Sequence, residues 1–132
     1  MADFEEPFEG GHLPDEAVVV RGGMMASEYL FIAARKHFRE EGVWAISVAS
    51  VPGLSAEEIA RRSPFIRGSQ IRATNAGALR KGGYEVEPDG PPHALVYLPR
   101  PPQGEDDPMW DDLRSIISDI KPNPNREEGQ QR

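Results

Sequence analysis

The chain has 132 residues, a formal net charge of −7 and no cysteine. That length suits one domain around one hydrophobic core, and the missing cysteine excludes a disulfide framework, a thiolate zinc site and a cysteine nucleophile. No apolar run approaches the ~20 residues that span a bilayer, and the acidic beginning is unlike a signal peptide. The expectation is a soluble, cytoplasmic protein that does not engage membranes.

Residues 1–16 carry six acids together with Gly10, Gly11 and two prolines, which predicts a flexible acidic arm. Ala17 to Val20 is apolar and rich in β-branched residues, and Arg21-Gly22-Gly23 ends it; this reads as a buried strand. Ser27 to Glu41 reads as a helix capped by Ser27 and stopped by Gly42, with Leu30, Phe31, Ala34 and Phe38 on one face. Val43 to Val51 alternates. Trp44, Ile46 and Val48 point one way and Ala45, Ser47 and Ala49 the other, so a close neighbour or a pocket is expected on the small-residue side.

Ser55 and Glu58 have capping-box spacing at the start of a short helix to Arg62. Gln70 to Thr74 reads as a strand with Ile71 and Ala73 on one face and Gln70, Arg72 and Thr74 on the other. A helical turn follows from Asn75 to Lys81, stopped by Gly82-Gly83. Tyr84 to Glu87 and Ala94 to Leu98 read as strands. After a proline-rich linker, Asp107 and Pro108 open a last helix whose stripe is Trp110, Leu113, Ile117 and Ile120, ended by Pro122. The resulting fold class is α+β or α/β, in the order β-α-β-α-β-α-β-β-α. The domain spans 17–121, and 122–132 is expected to be a disordered tail.

Between Ile59 and Tyr84 lie six basic residues and no acid, leaving −13 for the remainder of the chain. Arg61, Arg62, Arg67, Arg72, Arg80 and Lys81 are therefore the candidate contacts to RNA or another phosphate-bearing ligand. One arrangement is a winged helix, with Leu54–Arg62 and Ser69–Gly83 as the helix pair and Tyr84–Leu98 as the wing. Against it, Gly68 and Gly77 would fall in or beside the reading helix, and Ile71 to Thr74 fits a strand.

A second arrangement is catalytic. Arg21, Ser47, Thr74 and His93 are polar residues at or within strands. His93 suits general acid–base work, while Arg21 suits a phosphate or a developing negative charge. Such a set fits metal-independent ribonuclease chemistry, with Arg21 and Arg72 on phosphate and Ser47 and Thr74 orienting. The plainer alternative pairs Arg21 with an acid, bonds Ser47 and Thr74 to backbone and leaves His93 capping a strand. A third arrangement orders Arg21, then Ser47 and Ser50, then Glu85 and Glu87 as an ADP-ribosyltransferase would. His12, His37 and His93 are scattered, so neither a metal site nor a cofactor is expected.

Several phrases are distinctive together: Val19-Val20-Arg21-Gly22-Gly23, Ile46-Ser47-Val48, Pro52-Gly53-Leu54-Ser55, Ile71-Arg72-Ala73-Thr74-Asn75-Ala76-Gly77, Gly83-Tyr84-Glu85-Val86, Pro92-His93-Ala94-Leu95 and Pro122-Asn123-Pro124. They resemble small actinobacterial modules also found at the C-terminal ends of polymorphic-toxin proteins. The resemblance covers roughly Ala17 to Pro124. It implies a toxin-like or conflict-related module, for which a cognate neutralising protein is a candidate partner, and it touches Arg21, Ser47, Thr74 and His93. Two departures stand out: Asn75 replaces an expected hydroxyl residue, and Ala94-Leu95 is more apolar than the pattern.

Overall fold

Period-two alternation in the strands decides which side chains meet which helices. The computed structural model describes residues 12–125; most of the predicted arm and of the predicted tail lies outside the described residues. Within them the order is β1 (Val18–Gly22), α1 (Ser27–Glu41), β2 (Ala45–Ala49), α2 (Ala56–Arg61), β3 (Gln70–Asn75), α3 (Ala76–Lys81), β4 (Glu85–Pro88), β5 (His93–Tyr97), α4 (Met109–Ile116) and β6 (Asp119–Pro122). All strands join one antiparallel sheet in the order β4-β5-β2-β1-β3-β6. The domain is thus α+β, and the predicted element order holds with one strand added.

Val19, Ile46, Val48, Val86 and Val96 pack on one face with Leu30, Ala34, Leu79, Trp110 and Leu113. On the other face Val20, Ala49, Ile71 and Ala73 pack with Ala56, Ile59, Ala60 and Ile66. The capping box at α2 forms in both directions: Glu58 N–H donates to Ser55 Oγ at 3.2 Å, and Ser55 N–H donates to Glu58 Oε1 at 2.8 Å. Asn75 caps α3 by accepting from Ala78 N–H at 2.8 Å. Gly42 stops α1 with φ +79, donating its N–H to Phe38 O.

Several expectations are corrected. Ser27 does not cap α1; Ala26 occupies the cap position without a side-chain bond, and Ser27 Oγ instead accepts from Arg114 Nη1 at 2.9 Å. The last helix stops at Ile116 rather than reaching Ile120, because β3 presents an unpaired edge. Asp119–Pro122 takes that edge as β6, with registers from Gln70↔Pro122 to Ala73↔Asp119. Helical spacing cannot reveal such a partner. The tail is ordered as far as it is described: Asn123 is buried and its side-chain amide donates to Gly68 O at 3.0 Å. The described end of the arm is also structural, since Leu13 joins the core at 1% exposure.

The helix pair of a winged helix is absent. β3 lies in the sheet between α2 and α3, and the two helices pack into opposite faces. β4 and β5 are one end of that same sheet rather than a wing.

The proline-rich linker is pinned by Asp107, whose side chain is fully sealed from solvent. It accepts two bonds from the Arg100 guanidinium at 2.7 Å each, and the N–H groups of Gln103 and Met109 at 2.8 and 2.9 Å. The Arg100 fork, followed by the opposing effect of burial and then those two N–H donors, holds its carboxyl far below the usual carboxylate range.

Leu13→Ala is expected to cost about 2–5 kcal/mol, read from urea denaturation; a loss under about 0.5 kcal/mol would return Leu13 to a loose arm. Because the folded pKa of Asp107 is depressed, its stabilisation is present above the ordinary carboxylate pKa of about 4 and is lost as pH falls through the lower folded value. The stability gap between wild type and Asp107→Asn should therefore be widest near neutrality and close progressively below pH about 4, read from thermal melts across pH.

Candidate functional site

The sheet is two three-stranded halves joined at β1 and β2. β1 meets β3 through five register pairs, and β2 meets β5 through five, but β1 and β2 share the single pair Val20↔Ala49. Side chains close what the backbone leaves open there. On one side of that pair Ser50 Oγ–H donates to Val18 O at 2.6 Å, and on the other Arg21 Nη1–H donates to Ser47 O at 2.6 Å.

Beside Arg21 the seam opens into a cavity of about 300 Å³ lined by Val20, Arg21, Gly22, Ser47, Phe65 and Arg67, among others. A second cavity of about 270 Å³ shares Arg21 and Ser47 and is bounded by Lys36, His37 and Glu40 of α1. A third, about 380 Å³, shares His37 and Glu40 and holds Asp89, His93 and Tyr97. The three adjoin through common residues, with cations at the Arg21 end and carboxylates at the His93 end. The small-residue side of β2 is thus where the pocket opens, as its composition predicts.

Arg21 is the unusual group. Its Nε is sealed from solvent without a hydrogen-bond partner, and among the described residues no carboxylate pairs with it. Burial disfavours its charge and pushes its pKa down. An unpaired charged donor kept from water is costly, and a ligand anion is the partner that would remove the cost. The Gly-Gly turn beside it has a different use from the one expected. A Cβ at Gly22 would stand 2.8 Å from Arg67 O and 2.9 Å from Ile66 Cγ2. Gly22 therefore admits the chain's own loop, which forms one wall of the cleft.

His93 adjoins this cleft without lining it. Ser47 is paired with Leu95 and Ala49 with His93, so Ser47 and His93 share a face as diagonal neighbours, roughly 7–8 Å apart. Phe65 bridges them: it lines the Arg21 cavity and meets the His93 ring edge-on, centroids 5.5 Å apart. His93 Nδ1 lies 3.0 Å from the Asp89 carboxylate. A carboxylate only accepts, so Nδ1–H donates and Nε2 is left as the basic nitrogen. Tyr97 in the same cavity has its pKa raised by burial, then by Asp89 and Glu87.

Thr74 does not join the set. It is opposite Val19, on the face that also carries the Arg21 side chain and away from Ser47 and His93, and unlike Arg21, which reaches Ser47 O across the seam, it lines none of the three cavities. Ser50 is spent on Val18 O. The carboxylates of the transferase arrangement are also placed elsewhere. Glu85 bonds Arg80 Nε at 2.6 Å, and Glu87 is on β4, two strands and roughly 10 Å from Ser47.

The basic island is divided by the sheet. Arg61 and Arg62 are exposed at the end of α2 on one face, while Arg80 and Lys81 belong to α3 on the other. Arg80 is not free for phosphate: it holds Asp15, Glu85 and Val86 O at 2.8, 2.6 and 3.1 Å. Burial works against its charge, but those two carboxylates outweigh burial and raise its pKa. Arg67 is exposed on the cleft wall. Arg72 faces Arg21 across the β1–β3 ladder. Sequence reasoning passed over Lys36, Phe65 and Asp89; the one local signal was the four-residue spacing of Asp89 and His93 around Gly90-Pro91-Pro92. Among the described residues no cluster of His, Asp and Glu could hold a metal, and no helix is long and apolar enough to cross a membrane.

No family model, no curated protein and no solved structure matches the chain.

The two kinds of arginine should separate in one experiment. Arg80→Gln is expected to lose about 1–3 kcal/mol of stability with salt-dependent retention on immobilised RNA unchanged. Arg67→Gln should stay within about 0.5 kcal/mol of wild type and elute at lower salt. The opposite pattern would put the basic surface at α3.

Proposed function

We propose that the chain is a toxin-like module that binds RNA through the Arg21 cleft and cleaves it without a metal, His93 being the general base. The observation that carries the reading is Arg21: a partly sealed guanidinium with an unpartnered Nε, lining an open cavity, with no carboxylate partner among the described residues. In this reading Arg21 and Arg67 hold phosphoryl oxygens. Exposed Phe65 offers a ring for a base to stack on, and Ser47 orients the ribose–phosphate. Asp89 fixes the His93 tautomer that leaves Nε2 free.

The step balances without a co-reactant. His93 Nε2 takes the proton of a ribose 2′-hydroxyl, and the freed oxygen bonds to the adjacent phosphorus. The bond from phosphorus to the 5′-oxygen breaks, and that oxygen takes a proton from water. The hydroxide left behind receives the proton from His93. The products are a 2′,3′-cyclic phosphate and a 5′-hydroxyl. The toxin-like assignment, the cytoplasmic target and a cognate neutralising protein rest on the resemblance of the quoted phrases.

A second reading, supported by His93 lying in a neighbouring cavity rather than beside Arg21, is a binding module without chemistry that takes an RNA or an acidic protein in the same cleft. Mutation separates the two. His93→Ala is expected to keep RNA affinity and slow cleavage about 10²–10⁴-fold, while Arg21→Gln loses both affinity and cleavage. Growth inhibition on intracellular expression should fall with each. Folded His93→Ala and Arg21→Gln proteins that cleave and inhibit like wild type would end the proposal. Arg21-dependent binding without cleavage in wild type would leave the binding module.

A further inference from the structure

We infer that His37 is the general acid of the cleft, giving the leaving 5′-oxygen its proton as the RNA chain breaks. This rests on the reading of the cleft as a metal-independent ribonuclease, and it supplies the acid that His93 needs as a partner. Ala33, Lys36, His37 and Glu40 follow the spacing i, i+3, i+4 and i+7, so they share one face of α1. That face lines the cavity that also holds Arg21 and Ser47. Gly42 stops the helix in the left-handed region at φ +79, and the returning chain brings Val43 O to 2.7 Å from His37 Nδ1. A carbonyl only accepts, so Nδ1–H donates to it and Nε2 is the nitrogen left for a ligand.

His37 is where the two ends of the cleft meet. The cavity with Arg21 and the cavity with His93 have two residues in common, His37 and Glu40. Glu40 is already engaged, its carboxylate accepting from Lys36 Nζ at 2.8 Å. His37 thus adjoins the phosphate end and the base end at once. The two imidazoles reach their common cavity from different elements, His37 from α1 and His93 from β5. Displacement at phosphorus puts the attacking and leaving oxygens roughly in line, so base and acid must come from different sides. Both rings are also oriented in the same way. Nδ1–H of His93 bonds the Asp89 carboxylate and Nδ1–H of His37 bonds Val43 O, and each bond holds whether or not Nε2 carries a proton.

The step remains balanced with His37 in place of water as the immediate donor. His93 Nε2 takes the 2′-hydroxyl proton while the 2′-oxygen bonds to phosphorus. The bond from phosphorus to the 5′-oxygen breaks, its electron pair stays on that oxygen, and His37 Nε2–H provides the proton. Water then carries the proton gained by His93 back to His37.

The test uses the full chain and an RNA oligonucleotide that wild type cleaves, compared with the same oligonucleotide carrying sulfur in place of the 5′-bridging oxygen at the cleaved link. A thiolate leaves without needing a proton, so this substrate bypasses a general acid but not a general base. His37→Ala should slow cleavage of the oxygen substrate about 10²–10⁴-fold and of the sulfur substrate less than about tenfold. His93→Ala should slow both alike. His37→Asn, whose side-chain amide can keep a donor on Val43 O, should behave as His37→Ala does, and it serves if the alanine variant fails to fold. Equal losses on the two substrates, as a purely structural anchor for the turn after α1 would give, or a loss under about tenfold on the oxygen substrate, would overturn the inference while leaving the ribonuclease reading in place. Failure of wild type to cleave either substrate would end that reading and the role of His37 with it.

Discussion

The seam between β1 and β2 is the constraint on which the site depends. Antiparallel strands in the middle of a sheet normally pair along their length, since each unpaired backbone group kept from water costs free energy. Here one register pair joins the two halves, and two side chains extend the join, Ser50 to Val18 O and Arg21 to Ser47 O. The divergence beyond Val20 and Ala49 is what opens a cavity at the centre of the sheet. The loop through Ile66 and Arg67 walls it from one side, and Gly22, without a Cβ, lets that loop come close.

A fold needing only mechanical closure at this point would use a neutral residue or pair the arginine with an acid. Long charged side chains are rarely sealed unless paired, and the chain has 22 acids to draw on. It uses them elsewhere: Asp107 pins the linker through Arg100, and Asp15 and Glu85 fasten α3 through Arg80. Leaving both Arg21 and the facing Arg72 without a carboxylate among the described residues is a cost that stability alone does not explain. Sites that bind charge accept such costs.

Much of the fold was legible in the sequence, because periodicity and capping are local signals. Ser27 to Glu41 appears with the expected bounds, and Ser55 with Glu58 forms the box that its spacing predicts. The failures share a cause, namely that a tertiary partner overrides a local pattern. Ile120 fits a helical stripe, yet the open edge of β3 draws Asp119–Pro122 into the sheet. Leu13 belongs to an acidic, glycine-rich stretch, yet the core takes it. The site was half legible. Ser47 and His93 share one face of the sheet and Arg21 reaches Ser47 O across the seam from the other, whereas Thr74, on the face of Arg21, lines none of the three cavities and Arg80 is bound to its own acids. Nothing in composition tells an arginine held by a backbone carbonyl alone from one paired with an acid, and the six basic residues read as one surface only until β3 is placed between them.

Arg21 Nη1 has Ser47 O, but its Nε lacks the acceptor that a phosphate would supply. The most direct measurement is the ¹⁵N–¹H signal of Arg21 Nε, assigned by Arg21→Lys, followed while inorganic phosphate is titrated into the folded chain at constant ionic strength. Phosphate should produce a saturable shift and slowed solvent exchange of that one signal, with exposed Arg61 and Arg62 unmoved. An Arg21 signal that stays in place while the exposed arginines shift together would contradict it, leaving the seam a structural join and nothing more.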